Sequence, residues 1–184
     1  MEVALLGGSF NPPHVGHLVA VHYVWATQPV DEVWLLPSYR HPFGKPLAPF
    51  EHRLRMCQLL AEDASGWLKV SDVERDVPGD GRTVDVLEHL RRRHPEHAFT
   101  VVIGSDLLPD LPKWKDVDRI EQMATVLVLH RAGHSSPRAF GPPLAEVSST
   151  EIRERLARGD APVDLVPRRV LAYARQHGVY AAGS

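Results

Sequence analysis

The stretch MEVALLGGSFNPPHVGHL, residues 1–18, decides the fold of this chain. Its apolar run at 3–6 predicts a buried strand, and the glycines and prolines of residues 7–13 predict a turn. His14 and His17 follow three residues apart, so that both lie on one face of a helical turn. A glycine-rich turn between a strand and a helix exposes backbone N–H groups beside a helix N-terminus, which favours a bound phosphate. The stretch therefore predicts an anion site to which both histidines donate.

Further apolar runs predict strands at 33–36, 68–73, 100–103 and 126–129. Between them lie helical patterns at 16–25, 49–63, 84–93, 116–123 and 151–158. Alternating strands and helices predict an α/β fold, a doubly wound parallel sheet with helices on both faces. We expect a single domain over residues 1–184, with the region 147–184 packed on it.

Composition excludes several classes of function. The chain of 184 residues has 21 Lys+Arg against 23 Asp+Glu, so it has no basic excess with which to hold nucleic acid. Its one cysteine, Cys57, cannot form an internal disulfide. We find no signal peptide and no apolar stretch long enough to span a membrane. We therefore expect a cytoplasmic protein that binds neither nucleic acid nor membrane.

A second motif, VSSTEIR, occupies residues 147–153. Ser148 and Glu151 fit a capping box, which accounts for those two residues by structure alone. It does not account for three successive hydroxyls followed by Arg153. A helix N-terminus flanked by hydroxyls, with an arginine leaning back towards it, predicts a second phosphate cradle.

A third region follows the apolar run at 100–103. Gly104 and Asp106 stand where a predicted strand ends, at the edge of an α/β sheet that binds ligands. A simple turn also explains this pair, and packing in the core also explains Trp114. Thr83, ahead of another predicted helix, fits an ordinary N-cap as well as a binding role.

The strings GSFNPPHVGH and SSTEIR resemble the two signature motifs of the HxGH nucleotidyltransferases. Within that superfamily the chain most resembles the bacterial nicotinate-nucleotide adenylyltransferase family. The tail at 166–180 resembles the end of the same family, so the resemblance covers nearly the whole chain. It implies a Rossmann-like fold and adenylyl transfer from ATP to nicotinate mononucleotide, which yields deamido-NAD and pyrophosphate in NAD biosynthesis. The reaction also implies Mg²⁺, and because the sequence offers no carboxylate cluster dedicated to a metal, we expect the ion to arrive with ATP rather than to occupy a site of the protein.

The resemblance implies a role for individual residues. The residues implied in catalysis are His14, His17 and Arg153. Those implied in ATP binding are Gly7, Gly8, Ser9, Phe10, His14, His17, Gly104, Asp106, Ser149, Thr150 and Arg153. Those implied in mononucleotide binding are Asn11, Lys45, Thr83 and Trp114, with the tryptophan stacked on the pyridine ring.

Two departures from the family pattern affect the choice of acceptor. The bacterial enzymes commonly show Pro-Pro-His-Lys where this chain has a basic loop with different spacing. In this loop Lys45 is our candidate for a phosphate contact, and Arg40 and His41 are the other candidates. A solvated lysine is the alternative at that position. Arg82 replaces a tyrosine of the family beside Thr83. The loops 38–49 and 131–144 fit either lids or exposed connections.

Several alternative functions remain open at this stage. Nicotinamide mononucleotide is an alternative acceptor, alone or alongside nicotinate mononucleotide. A relative that acts on phosphopantetheine is disfavoured by the chain length, by Trp114 and by the tail. A non-catalytic nucleotide-binding protein would keep ATP binding without turnover. Two histidines at this spacing also fit a polar helix face or half of a zinc site. The oligomeric state, including a homo-oligomer, is left open.

Overall fold

Six parallel strands form one sheet in the computed structural model, which describes residues 1–40, 44, 46–79 and 81–181. The strands are β1 (Glu2–Gly8), β2 (Glu32–Pro37), β3 (Leu68–Val70), β4 (Ala98–Gly104), β5 (Thr125–Arg131) and β6 (Phe140–Leu144). Their order across the sheet is β3-β2-β1-β4-β5-β6, and every neighbouring pair is parallel. This is the strand order of Rossmann folds, so the predicted fold class is confirmed.

Helices cover both faces of the sheet, as expected. They are α1 (Val15–Thr27), α2 (Phe50–Ala61), α3 (Thr83–Arg93), α4 (Val117–Met123), α5 (Ser149–Ala157) and α6 (Arg168–Gln176). Two clusters of buried apolar side chains lie on opposite faces, one with α1, α2, α5 and α6 and the other with α3 and α4. Successive strand residues alternate between them: Val3 and Leu5 face the second cluster, and Ala4 faces the first.

The β1–β4 boundary positions the site. From β1 the chain proceeds through β2 to β3 on one side, and β4 begins the other half of the sheet on the opposite side. Ligands of such sheets bind beyond the carboxyl ends of the strands at this point of reversal. Gly8 and Gly104 end the two strands there.

Two local predictions were wrong. The loop expected at 131–144 contains β6, whose residues 140–143 are exposed and include Pro142 and Pro143. Proline is tolerated because β6 is an edge strand with one ladder to pair, and an exposed strand lacks the apolar run used for prediction. The strand expected at 68–73 ends at Val70, since a 3₁₀ turn occupies Val73–Arg75.

Candidate functional site

The turn after β1 delivers two histidines to the start of α1. His14 is the N-cap residue, and its backbone N–H donates to Nδ1 of His17 at 3.2 Å. Nδ1 of His17 is therefore an acceptor, which places the ring proton of a neutral imidazole on Nε2. The local backbone thus leaves Nε2–H as the group that His17 can donate to a ligand.

Gly16 allows the rings to pack. The His14 and His17 rings stack with centroids 3.7 Å apart, and His14 is only 4% exposed. A Cβ at Gly16 would stand 3.1 Å from Nδ1 of His14 and 3.3 Å from Cβ of Val147, closer than side chains normally approach. Among the described atoms, Nδ1 of His14 is buried without a hydrogen-bond partner.

Both imidazoles are neutral near pH 7. Burial, with Arg131 adding to it, lowers the pKa of His14 to about 4. Burial, His14 and Arg131 together hold the pKa of His17 well below its ordinary value of 6.5. Both histidines can therefore offer a bound phosphate an uncharged N–H donor, and the positive charge near them is that of an arginine.

The second motif folds back onto the first. Oγ of Ser148 caps α5 by accepting the N–H of Glu151 at 3.3 Å. Arg153 donates from Nη1 to the carbonyl of Asn11 at 2.8 Å and from Nη2 to Oγ1 of Thr150 at 3.1 Å. The side chain leans towards the helix start, with Ser149 and Thr150 as the first two helical residues. The two motifs therefore form one site although 142 residues separate the bonded pair.

A third group of residues surrounds the end of β4. A Cβ at Gly104 would clash with the Asp106 carboxylate and lie 2.9 Å from Cγ of Arg131, so a larger residue there would require both side chains to move. Asp106 pairs with Arg131, with Oδ1 and Nε 3.7 Å apart. Oγ of Ser105 donates to the carbonyl of His134 at 2.6 Å and accepts the backbone N–H of Arg131 at 2.9 Å.

Sequence reasoning missed Arg131. The sequence pattern puts it at the start of a loop, whereas it is the last residue of β5, at the edge that carries Gly104 and Asp106. An arginine two residues beyond the apolar run at 126–129 was the available signal.

Sequence reasoning also missed a buried network beneath the turn. Arg53 of α2 is 1% exposed and donates from Nη1 to the Ser9 carbonyl and from Nε to the Ala48 carbonyl, each at 2.8 Å. The side-chain oxygen of Asn11 accepts the Tyr180 hydroxyl at 2.9 Å and the Ala48 N–H at 3.2 Å. Because the side-chain oxygen of Asn11 is occupied in this way, its predicted contact with the mononucleotide depends on the side-chain nitrogen, Nδ2.

The residues of the turn differ in how much the fold itself constrains them. A Cβ at Gly7 would meet nothing within 4 Å, and one at Gly8 would make an ordinary 3.4 Å contact with Phe10. The protein alone does not require glycine at these positions, which leaves room for a ligand over the strand end. Phe10 has a φ of 45° and is buried, with its ring centroid 4.7 Å from that of His17. Any contact of Phe10 with ATP is thus left to its backbone.

Two of the predicted mononucleotide residues, Thr83 and Trp114, are sequence neighbours of residues that line an open cleft. Thr83 is the first residue of α3, and the carbonyl of Arg82 accepts the first helical bond, so the N-cap interpretation of Thr83 is wrong. Trp114 is half-buried against the second core cluster. A cleft of about 660 Å³ is lined by Pro78, Gly79, Arg82, Asp85, Lys113 and Lys115.

Of the three candidate phosphate contacts in the basic loop, Lys45 and His41 lie outside the described residues. The third, Arg40, is exposed, with its guanidinium 5.9 Å from the Tyr39 ring centroid.

Metal-ligating groups lie elsewhere. Asp106, the one predicted site residue with a carboxylate, is already paired with Arg131. Within the described ranges, the one group of three metal-ligating side chains is His94, Glu96 and His97. These residues precede β4 and thus lie at the opposite edge of the sheet from the candidate site.

Comparisons with known proteins indicate the family of this chain. Residues 5–155 match a family described as cytidylyltransferase-like. A "Probable nicotinate-nucleotide adenylyltransferase" of Myxococcus xanthus (strain DK1622) is 62% identical over 180 residues, which cover 98% of this chain and 95% of the relative. A protein of the same name from Thermus thermophilus is 37% identical over 187 residues, with 98% of this chain and 100% of the relative covered.

A solved structure resembles the fold. Plasmodium falciparum nicotinic acid mononucleotide adenylyltransferase complexed with NaAD matches with a TM-score of 0.80 at 19% identity, over 97% of each chain. At this identity the likeness concerns the fold alone. From the two joined motifs, the family match and the full-length relatives together, we conclude that the chain belongs to the nicotinate-nucleotide adenylyltransferase family of cytidylyltransferase-like nucleotidyltransferases.

Proposed function

We propose that this chain transfers the adenylyl group of ATP to nicotinate mononucleotide, giving deamido-NAD and pyrophosphate in NAD biosynthesis. A 5′-phosphate oxygen of the mononucleotide attacks the α-phosphorus, the bond from that phosphorus to the bridging oxygen breaks, and pyrophosphate leaves with the electron pair. The observation that carries the proposal is the bond from Arg153 to Asn11, which unites both phosphate motifs at the strand ends. The names of the full-length relatives support the same reaction.

Catalysis by these residues consists of positioning and charge stabilisation, since the reaction needs no covalent intermediate with the protein. Neutral His14 and His17 supply N–H donors to the phosphates. Arg153, Ser149 and Thr150 hold the leaving pyrophosphate at the N-terminus of α5. Arg131, beside both histidines, contributes a further positive charge that the resemblance did not include.

We further propose that Mg²⁺ enters as a complex with ATP. The described groups around the site are imidazoles, hydroxyls and arginines, with Asp106 already paired, and this set suits phosphate oxygens better than a bare cation. Mg²⁺ bound to the triphosphate would neutralise charge on the departing pyrophosphate.

The cleft beside α3 supports an acidic acceptor. Its lining includes the cationic side chains of Arg82, Lys113 and Lys115, of which Lys115 pairs with Asp85 at 2.9 Å and Lys113 with Asp110 at 2.7 Å. Such a lining favours the carboxylate of nicotinate over the neutral amide of nicotinamide. We therefore assign the mononucleotide to this cleft, with Thr83 and Trp114 next in sequence to residues of its lining.

We propose a cytoplasmic location, where ATP is abundant. Among the described helices, none has the length and apolar character required to cross a bilayer.

The decisive test is pyrophosphate release with MgATP, with nicotinate or nicotinamide mononucleotide supplied at equal concentration. We expect preference for nicotinate, and we expect His17→Ala to lower kcat by at least about a hundredfold because a transition-state donor is lost. His22→Ala is the matched control, since His22 is an exposed residue of the same helix whose Nδ1 lies 2.8 Å from the Leu18 carbonyl oxygen. Near-normal turnover of His17→Ala, or no release with nicotinate mononucleotide, would contradict the proposal.

A further inference from the structure

Glu74 is a buried carboxylate to which neither the sequence motifs nor the proposed reaction assigns a role. It lies in the 3₁₀ turn Val73–Arg75 that follows β3 and is only 8% exposed. Burying a carboxyl group is costly unless the protein supplies partners for it. The partners of Glu74 therefore indicate what the residue is for.

The first partner is the loop after β2. Oε2 of Glu74 accepts the backbone N–H of Tyr39 at 2.9 Å. The Tyr39 ring packs edge-on against Phe50, with centroids 5.1 Å apart, and the neighbouring Ser38 N–H donates to the Gly8 carbonyl at 2.9 Å. The backbone at Ser38 and Tyr39, called the Tyr39 loop below, is thus held on one side by the turn of residues 7–13, called the phosphate turn below, and on the other by Glu74.

The second partner is the turn before α3. Gly81 has a φ of 63°, and a Cβ at this position would lie 3.0 Å from the same Oε2. The backbone at Gly81 therefore packs directly on the carboxylate. Arg82 follows immediately and lines the cleft that we assign to the mononucleotide.

The third partner is Arg53, which faces Glu74 from α2 with opposite charge. The guanidinium of Arg53 holds the Ser9 and Ala48 carbonyls, so this attraction links Glu74 to the phosphate turn. Burial raises the pKa of Glu74 to about 7, and the Tyr39 hydrogen bond and Arg53 oppose that rise. Arg75, the next residue of the same turn, is engaged with Glu51 and with the Phe50 ring.

We propose that Glu74 is a positioning residue, which fixes the Tyr39 loop and the turn at 81–83 relative to each other and thereby sets the affinity for the mononucleotide. This inference rests on the proposed function, since it takes the cleft beside α3 as the mononucleotide subsite. Glu74 itself touches no reacting atom; it acts through the two loop backbones.

Steady-state kinetics separate this role from a general loss of structure. Glu74→Ala removes the acceptor of the Tyr39 N–H, and we expect KM for nicotinate mononucleotide to rise about tenfold, the effect of losing one hydrogen bond. KM for ATP and kcat should stay within about twofold, because the phosphate turn keeps its own bonds to Arg53. Glu74→Gln retains an acceptor oxygen and should restore KM to within about threefold of the wild type.

Glu51→Gln is the matched control, since Glu51 is an exposed carboxylate that pairs with Arg75 nearby. We expect it to leave both KM values unchanged. If Glu74→Ala does not fold, Glu74→Asp gives the same test, because it keeps the charge while withdrawing the oxygen from Tyr39. A rise in both KM values together, or no rise in that for the mononucleotide, would overturn the inference.

Amide hydrogen exchange, followed by NMR without substrates, tests the attachment independently of the reaction. The Tyr39 amide should exchange at least about tenfold faster in Glu74→Ala than in the wild type or in Glu51→Gln. Unchanged exchange would refute the attachment. Failure of the proposed function has a different signature: the wild-type protein would release no pyrophosphate with nicotinate mononucleotide.

Discussion

Replacement of Arg53 by methionine tests the view that a single buried guanidinium holds the phosphate turn. Methionine fills a similar volume with an unbranched side chain but has no donor. The Ser9 and Ala48 carbonyls would each lose a hydrogen bond of 2.8 Å from a charged group. The position is 1% exposed, so little water is available to replace those bonds.

The magnitude follows from these contacts. Two hydrogen bonds to a charged group are worth about 3–6 kcal/mol together. Burial also lowers the pKa of Arg53, which means that the charged form carries a desolvation cost that methionine avoids. We therefore expect a loss near the lower limit, about 3 kcal/mol, out of a total stability of about 5–15 kcal/mol.

Urea unfolding followed by circular dichroism measures this loss, with equal m values as the check on two-state behaviour. Arg55→Met is the control, because Arg55 lies on the same helix with its side chain 46% exposed and forms a surface ion pair with Glu62. That change should cost less than about 1 kcal/mol. If both variants lost the same small amount, the assignment of the turn's stability to Arg53 would be refuted.

Other predictions address the site and its titration. Arg153→Ala should raise KM for ATP at least about tenfold by removing a charged contact to phosphate, and an unchanged ATP dependence would count against its role. Gly104→Ala should lower the free energy of unfolding, because a methyl group there displaces both the Asp106 carboxylate and the stem of Arg131. Gly7→Ala should change the free energy of unfolding by less than about 1 kcal/mol, since its Cβ meets open space; equal effects of the two variants would contradict both expectations. The pKa of Glu74 is raised from 4.5 to about 7 in the folded chain. Folded protein therefore keeps a proton that unfolded protein loses, and stability should fall by about 3 kcal/mol from pH 4.5 to pH 7 relative to Glu74→Gln; parallel pH profiles for the two proteins would exclude this.

Local features of the fold were predictable because short-range spacing determines them. The apolar run of β1, the turn after it and the start of α1 follow from residues adjacent in the chain. The cap of α5 follows in the same way from Ser148 and the N–H of Glu151 three residues on. The strand of residues 140–144 was not predictable, since it is exposed, contains prolines and exists only through pairing with β5.

The candidate site likewise has features that the sequence predicts and features that it does not. Residue types and spacing sufficed to nominate His14, His17 and Arg153, and to predict that the arginine leans towards its own helix start. The sequence could not show that the histidines would be neutral, because their lowered pKa values arise from burial and from Arg131, which is remote in the chain.

By itself, the sequence determined the parallel α/β architecture, the two phosphate motifs and the family, since each depends on periodicity or on a contiguous string of residues. Tertiary structure alone decided that Arg53 holds the phosphate turn, that Tyr180 occupies the Asn11 oxygen and that Glu74 joins two loops. The physical reason is that a buried polar group must find a partner wherever the fold brings one, and such partners lie up to 169 residues apart here.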